Sequence, residues 1–313
     1  MEYINLKNSS LSVSRICMGG CPLGGYGWGD VQKKDLISAV EQAVECGINF
    51  FDTADTYGLG ESERLLGNAL KGKRHNVVIQ DKFGVRAQLG KPTLYDNSKS
   101  YIISACEASL KRLCTDYIDI YTVHYRDGKT PLGDVVNTLE QLRREGKIRY
   151  FALSNINEKD ELELAECKGR FVTFQNEYSL ACRKNEKDMF RFRDEFDLTP
   201  LTWGSLGQGI LTGKYDESNV DFEANDRRSR DIYVNFHGDK LRQNLRIVAR
   251  LREIAASHGK PVAAAAMRFI LDYISGSAVL AGAKNPNQVL QNAEAADWRL
   301  DKSEIDSLLE ISG

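Results

Sequence analysis

Residues 48–58 read INFFDTADTYG. An apolar run with the character of a buried parallel strand ends at a carboxylate, Asp52. Tyr57 follows five residues later, beside Gly58, which can turn the chain. The fold depends on whether this strand stands alone or is one of a set. Short apolar runs rich in β-branched or aromatic residues recur along the chain at 15–18, 48–52, 77–82, 118–124, 148–154, 171–175, 199–203 and 278–281. Helix-like amphipathic stretches lie between them, at 33–46, 62–70, 98–113, 133–145, 158–167 and 262–273. Eight such βα units predict an α/β fold of the (β/α)8 or TIM-barrel type, because a doubly wound sheet commonly has five or six parallel strands.

Two pieces fall outside the repeat. Residues 3–6 and 11–13, flanking Asn8-Ser9-Ser10, predict an N-terminal β-hairpin before the first barrel strand. After strand seven come a polar insertion at 216–231 and a helical stretch at about 240–258. The insertion reads as a loop able to close over a ligand, with the charged run 223–231 as its solvated face. No Pro/Gly/Ser linker or composition change interrupts the 313 residues, so one domain spanning 1–313 is expected.

A formal net charge of −2 gives no overall basic field for nucleic acid or an anionic membrane surface. No run of 18 apolar residues occurs, and the N-terminus has no apolar segment behind a basic start. The seven cysteines, at 17, 21, 46, 106, 114, 167 and 182, form no CxxC pair and suit reduced thiols in a cytoplasmic protein better than a disulfide or zinc framework. No metal site is expected.

In a barrel of this kind the chemistry lies at the C-terminal ends of the strands. Asp52, Lys82 and His124 end neighbouring strands two, three and four, and Tyr57 follows in the loop after strand two. Taken singly, each has an ordinary reading: a turn cap, a surface charge, a satisfied buried histidine, one of thirteen tyrosines. Together they make an acid site. A phenol that gives up a proton near neutral pH needs a cation beside its phenolate, which Lys82 can supply. Asp52 can hold that ammonium charged in a partly dry pocket, and a neutral His124 can donate a hydrogen bond to a carbonyl oxygen.

DTADTYG, DKFG, IDIYTVH and FALSN, in this order, resemble the aldo-keto reductase family. The similarity continues through GESERLLGNAL, FQNEYSL, GQGILTGKY and AGAKNPNQVLQN, across nearly the whole chain. The resemblance implies reduction of an aldehyde or ketone, with Asp52, Tyr57, Lys82 and His124 as the catalytic tetrad and Tyr57 as general acid. It implies a nicotinamide dinucleotide, NADPH with NADH possible, lying across the strand ends. By motif position, Ser154, Asn155 and Gln175 would hold the carboxamide and Trp203 would stack on the nicotinamide. The loop 204–214, with Gly204, Ser205, Leu206, Gly207, Gly209 and Lys214, would surround the pyrophosphate. Gly282, Lys284, Gln288 and Asn292 would hold the adenosine half, with Lys284 reading the 2′-phosphate of NADPH. Trp28 would join Tyr57 and His124 around the substrate.

The sequence departs from the family pattern at Asp81, where a small hydroxyl residue is common, at Gly204-Ser205 in place of Ser-Pro, and at Ala281 in place of Pro. Specificity would come from the loops 20–30, 86–98, 125–131 and 216–231, whose hydroxyl and charged residues suit a polar, sugar-like carbonyl. Two other readings use the same residues. A Schiff-base barrel enzyme would use Lys82 as nucleophile, and a cofactor-binding redox sensor would keep the fold without turnover.

Overall fold

The computed structural model describes residues 1–25, 27–87, 90–223 and 226–313. Tyr26, Gln88, Leu89, Ala224 and Asn225, which belong to three of the expected specificity loops, lie outside the described residues. Strands β1 (Tyr3–Asn5) and β2 (Ser12–Ser14) pair as the expected antiparallel hairpin. The barrel begins with β3 (Ile16–Gly19), β4 (Phe50–Asp52) and β5 (Val78–Phe83). A ribbon of β6 (Val85–Arg86) and β7 (Leu94–Tyr95) then interrupts. The barrel resumes with β8 (Ile118–Val123), β9 (Ile148–Ser154), β10 (Thr173–Glu177), β11 (Thr199–Trp203) and β12 (Ala278–Gly282). Spatial order follows chain order, every neighbouring pair is parallel, and β12 closes on β3. This is the (β/α)8 barrel.

Helices α1 (Lys33–Glu45), α2 (Glu61–Ala69), α3 (Lys99–Leu113), α4 (Leu132–Arg144) and α5 (Glu161–Glu166) form the first half of the outer ring. Helices α6 (Glu186–Glu195), α7 (Gly238–Ser257), α8 (Val262–Tyr273), α9 (Pro286–Ala293) and α10 (Lys302–Ser312) complete the set. Helix α6 escapes the sequence reading because EKDMFRFRDE buries only Met189 and Phe192, too thin a stripe to show as periodicity. The expected helix at 158–167 starts later as α-helix, since Glu158–Asp160 form a 3₁₀ turn with a capping box on Asn157. The β6–β7 ribbon was not expected either, as two-residue strands carry no alternation.

Side chains of the strands alternate between two compartments. Phe51, Ile79, Tyr121, Phe151 and Phe174 point outward into the layer beneath the helices. Cys17, Phe50, Val78, Ile120, Ala152, Val172 and Leu201 fill the barrel floor, where Leu6, Leu11 and Val13 of the hairpin region pack against them. One step further up the inner face the lining turns polar at Asp52, Gln80, Lys82, Ser154 and Gln175, all buried. Apolar floor and polar upper layer together place charged groups where water is scarce.

Candidate active site

Register brings the polar layer together. Asp52 of β4 stands opposite Gln80 of β5, and Lys82 stands opposite Thr122 of β8, so Asp52, Lys82 and the start of the β8 loop lie side by side at the strand tops. Lys82 Nζ donates to Asp52 Oδ1 at 2.5 Å, to the Thr53 carbonyl at 3.0 Å and to Tyr57 Oη at 3.3 Å. The other oxygen of Asp52 accepts from Gln80 Nε2 at 3.1 Å and from Gln175 Nε2 at 2.9 Å. Buried and satisfied on both oxygens, this carboxylate meets the condition under which a dry ion pair is tolerated.

Tyr57 reaches the group because its loop is pinned. Gly58 has φ of +60°, and a Cβ there would fall 2.1 Å from the Gly24 carbonyl oxygen, so only glycine lets the loops after β3 and β4 touch. The rings of Tyr57 and His124 meet edge to face with centroids 5.9 Å apart, and Tyr125 stacks on His124 at 5.1 Å. His124 Nδ1 is buried without a protein partner among the described residues. Packing, not a hydrogen bond to the protein, therefore orients the imidazole.

Burial dominates the titration of both rings. It lifts the Tyr57 phenol well above its ordinary value, with the Asp52 charge adding to the rise and the Arg227 guanidinium opposing it. Burial, aided by the Lys82 charge, pushes the His124 imidazole well below its ordinary value, so the ring is neutral at neutral pH. The neutral histidine matches the sequence expectation. The phenol holds its proton more firmly than that expectation required.

A cavity of about 680 Å³ opens above this group and includes Asp52, Tyr57, His124 and Trp28. It also takes in Ser154, Asn155, Gln175, Trp203, Gly204, Ser205, Leu206, Gly209, Lys214, Gly282, Lys284, Gln288 and Asn292. Gly207 stands apart from the wall: a Cβ there would meet Ile210 and Ala181 in the protein body. Several of the lining groups already have partners. Trp203 Nε1 donates to Asn155 Oδ1 at 3.1 Å, Asn155 Nδ2 donates to the His124 carbonyl at 3.0 Å, and Ser154 Oγ donates to the Gln175 carbonyl at 2.8 Å. This network fixes the indole of Trp203 as a wall of the cavity.

Around Trp28 the cavity lining is cationic. Lys284 Nζ bonds to the Trp28 carbonyl oxygen, and Gln288 Oε1 accepts from the Lys284 backbone N–H at 2.9 Å. Burial and the neighbouring Arg228 lower the Lys284 ammonium from its ordinary value, while Asp226 works in the other direction. Arg228 and Asp226 form a buried ion pair at 2.5 Å, and Arg228 Nη1 donates to Tyr215 Oη at 2.6 Å. This corrects the expectation for the run 223–231: Asp226 and Arg228 are buried and Arg228 lines the cavity, so these two are not part of a solvated face. Arg227, Arg228, Gln208, Tyr233 and Gln291 line the cavity without having been singled out from the sequence. Pairing inside a polar loop leaves no periodic signal, although two adjacent arginines in an insertion after strand seven were visible.

The donor set fits a nicotinamide dinucleotide phosphate. Lys214, Arg227, Arg228 and Lys284 face the cavity, and among the described residues its one lining carboxylate, Asp52, is already paired with Lys82. Such a wall suits a polyanion, and Trp203 offers an aromatic face for a planar ring. Among the described residues there is no cluster of His, Cys, Asp or Glu able to hold a metal ion. Among them, too, no helix is long and apolar enough to cross a membrane.

Fold and site define an oxidoreductase barrel of the nicotinamide-dependent class. The profile of the aldo/keto reductase family matches residues 15–312, and the chain belongs to that family. It is 33% identical to the aldo-keto reductase YhdN of Bacillus subtilis, over 99% of this chain and 94% of that protein. Its fold is similar to a glycerol dehydrogenase of Gluconobacter oxydans, with a TM-score of 0.88, 29% identity and coverage of 99% and 94% of the two chains. An aldo-keto reductase of Klebsiella pneumoniae solved with NADPH superposes with a TM-score of 0.75 at 25% identity, covering 100% of this chain and 96% of the other.

Proposed function

We propose that the protein reduces an aldehyde or ketone to the alcohol, with Tyr57 as the proton donor. The observation that carries this reading is the continuous chain from Asp52 through Lys82 Nζ to Tyr57 Oη, at 2.5 Å and 3.3 Å, ending at the cavity beside His124. NAD(P)H, when bound, supplies hydride to the carbonyl carbon. Tyr57 transfers its Oη proton to the carbonyl oxygen, and Lys82 faces the phenolate that remains. Burial makes the phenol a reluctant acid, so the ammonium matters most when phenolate charge appears. Asp52 keeps that ammonium aimed, and a neutral His124 donates a hydrogen bond to the same carbonyl oxygen.

In this reading Trp203, held by Asn155, walls the nicotinamide, with Ser154, Asn155 and Gln175 around its carboxamide. Gln175 reaches that position with its Nε2 already committed to Asp52, which leaves its Oε1 as the group to accept from a carboxamide. Residues 204–214 take the pyrophosphate, while Lys284, Gln288 and Asn292 take the adenosine end. NADPH is preferred to NADH, because Lys284 and Arg228 offer cations to a 2′-phosphate. Nucleophilic use of Lys82 is disfavoured by the same geometry, since its ammonium is fully buried and committed to Asp52.

Tyr57→Phe tests the assignment by removing one hydroxyl. Carbonyl reduction should fall by roughly 10²-fold or more while the dissociation constant of NADPH hardly changes. Near-normal turnover in the variant would sink the assignment.

A further inference from the structure

Arg227 and Arg228 are consecutive, and both guanidiniums lie over the Trp28 ring, 5.1 Å and 5.8 Å from its centroid, but their other contacts differ. Arg228 is buried against Asp226 and Tyr215, and its charge is felt at Lys284 together with that of Lys214. These groups form one cationic pole. Arg227 reaches Trp28 from the backbone of Gly27. Its backbone N–H donates to the Gly27 carbonyl at 3.1 Å, and its guanidinium lies over the Trp28 ring, 5.1 Å from the centroid. Gly27 has φ of +75°, and a Cβ there would fall 2.6 Å from Arg227 Nε, so the missing side chain lets the guanidinium pass close to the backbone. Arg227 is half-buried, lines the same cavity as Tyr57 and His124, and is the cation whose charge opposes the rise of the Tyr57 phenol. A guanidinium resting on an aromatic face in the cavity that holds Tyr57 and His124 is a fork for a planar anion.

Building on the proposed carbonyl reduction, we propose that Arg227 is a specificity-determining residue that selects carbonyl substrates bearing a carboxylate or phosphate near the reacting carbon. Trp28 supports the guanidinium, and His124, with Tyr125 stacked on it, lines the same cavity. An anion reaching Arg227 would leave the carbonyl oxygen between Tyr57 and His124. A neutral aldehyde of equal length would enter the same space without the charge-assisted hydrogen bond.

The test pairs 4-oxobutanoate with its methyl ester, which differ in charge and little in length. The parent protein with NADPH should show a higher kcat/KM for the anion, and the anion-to-ester ratio should fall by about 10–100-fold in Arg227→Ala, the scale of a charge-assisted hydrogen bond. Arg227→Lys should recover part of the ratio, since it keeps the charge but loses the fork. Succinate, which cannot be reduced, gives a second readout: its calorimetric binding to the NADP⁺ complex should weaken in Arg227→Ala. Because that readout involves no turnover, it separates failure of this inference from failure of the Tyr57 assignment. An unchanged ratio with unchanged succinate binding would overturn the inference. So would a loss that appears instead as weaker NADPH binding, which would place Arg227 with the cofactor.

Discussion

Asp81 and Lys82 are neighbours on one strand, but the alternation of β5 sends their side chains into two different buried clusters. On the inner face, Lys82 and Asp52 form a matched pair, and Asp52 has both oxygens satisfied. On the outer face, Asp81 joins Asp55 and Glu63 beneath α2 and α3, where Arg112 is the cation, bound to Glu63 at 2.6 Å and 3.0 Å. Asp81 Oδ2 and Asp55 Oδ1 are buried without partners among the described residues. Burial raises Asp81 well above the usual carboxylate range, and Glu63 and Asp55 raise it further. Three acids around one guanidinium cannot all be charged at little cost; one acid facing one ammonium can. The inner cluster is thus built to hold a charge, and the outer one to hold protons.

The largest effect should come from breaking the inner pair. Lys82→Met removes the cation that faces both Asp52 and the Tyr57 phenolate, so turnover should fall by roughly 10²-fold or more. Asp52 would then be buried without a counter-charge, and the fold should lose about 3–5 kcal/mol at pH 7. Denaturant unfolding of variant and parent at pH 7 reads this loss. A variant as stable as the parent at pH 7 would mean that the inner cluster does not depend on charge matching.

The outer cluster predicts the opposite sign. Asp55 is pushed up to about 7, chiefly by burial and then by Glu63, while Tyr101 and Arg112 pull it down. Its folded value lies above its unfolded value, so the folded state holds a proton that the unfolded state has lost between about pH 4 and 7. Stability is therefore given up as pH rises through that window. Asp55→Asn keeps the shape and removes the charge. It should match the parent near pH 4 and exceed it at pH 8, by on the order of 3–4 kcal/mol, an upper figure for so buried a group. Equal stability of the two proteins at both pH values would show that Asp55 titrates in the fold as it does in the unfolded chain.

These clusters also separate what the sequence makes legible from what it hides. Strand runs such as IDIYTV and FALS carry their own period, and residues that end them are placed by the barrel rule alone, which is why Asp52, Lys82 and His124 could be named. Tyr57 is placed by sequence only in the loop after strand two, since its approach to Lys82 rests on the meeting of Gly24 and Gly58. Asp226 and Arg228 were hidden because a charged run in a loop looks solvated until its members pair with each other. Asp81 was noticed as a departure, but its partners Asp55 and Glu63 come from a loop and a helix whose approach no local pattern records.

The smallest effect concerns the hydroxyl that moderates the outer cluster. Tyr101 Oη lies 3.2 Å from Asp55 Oδ2 and 3.1 Å from the Val85 carbonyl oxygen, and one proton serves both. Arg86 sits over the same ring at 5.5 Å, so Tyr101 ties α3 to β6 and to the acid cluster together. Tyr101→Phe should cost about 1 kcal/mol, the net worth of one hydrogen bond. The two acceptors predict different pH behaviour for that cost. Losing the bond to Val85 matters equally at every pH, whereas losing the bond to Asp55 matters most when Asp55 is ionised, because the hydroxyl stabilises the carboxylate and holds its pKa down. Without the hydroxyl the folded pKa of Asp55 rises further, which deepens the stability given up above it. The difference between variant and parent should therefore grow as pH rises through about 7, a trend that thermal melts between pH 5 and 8.5 would resolve. A difference that stays flat would assign the hydroxyl to Val85 and leave the carboxylates to Arg112 alone.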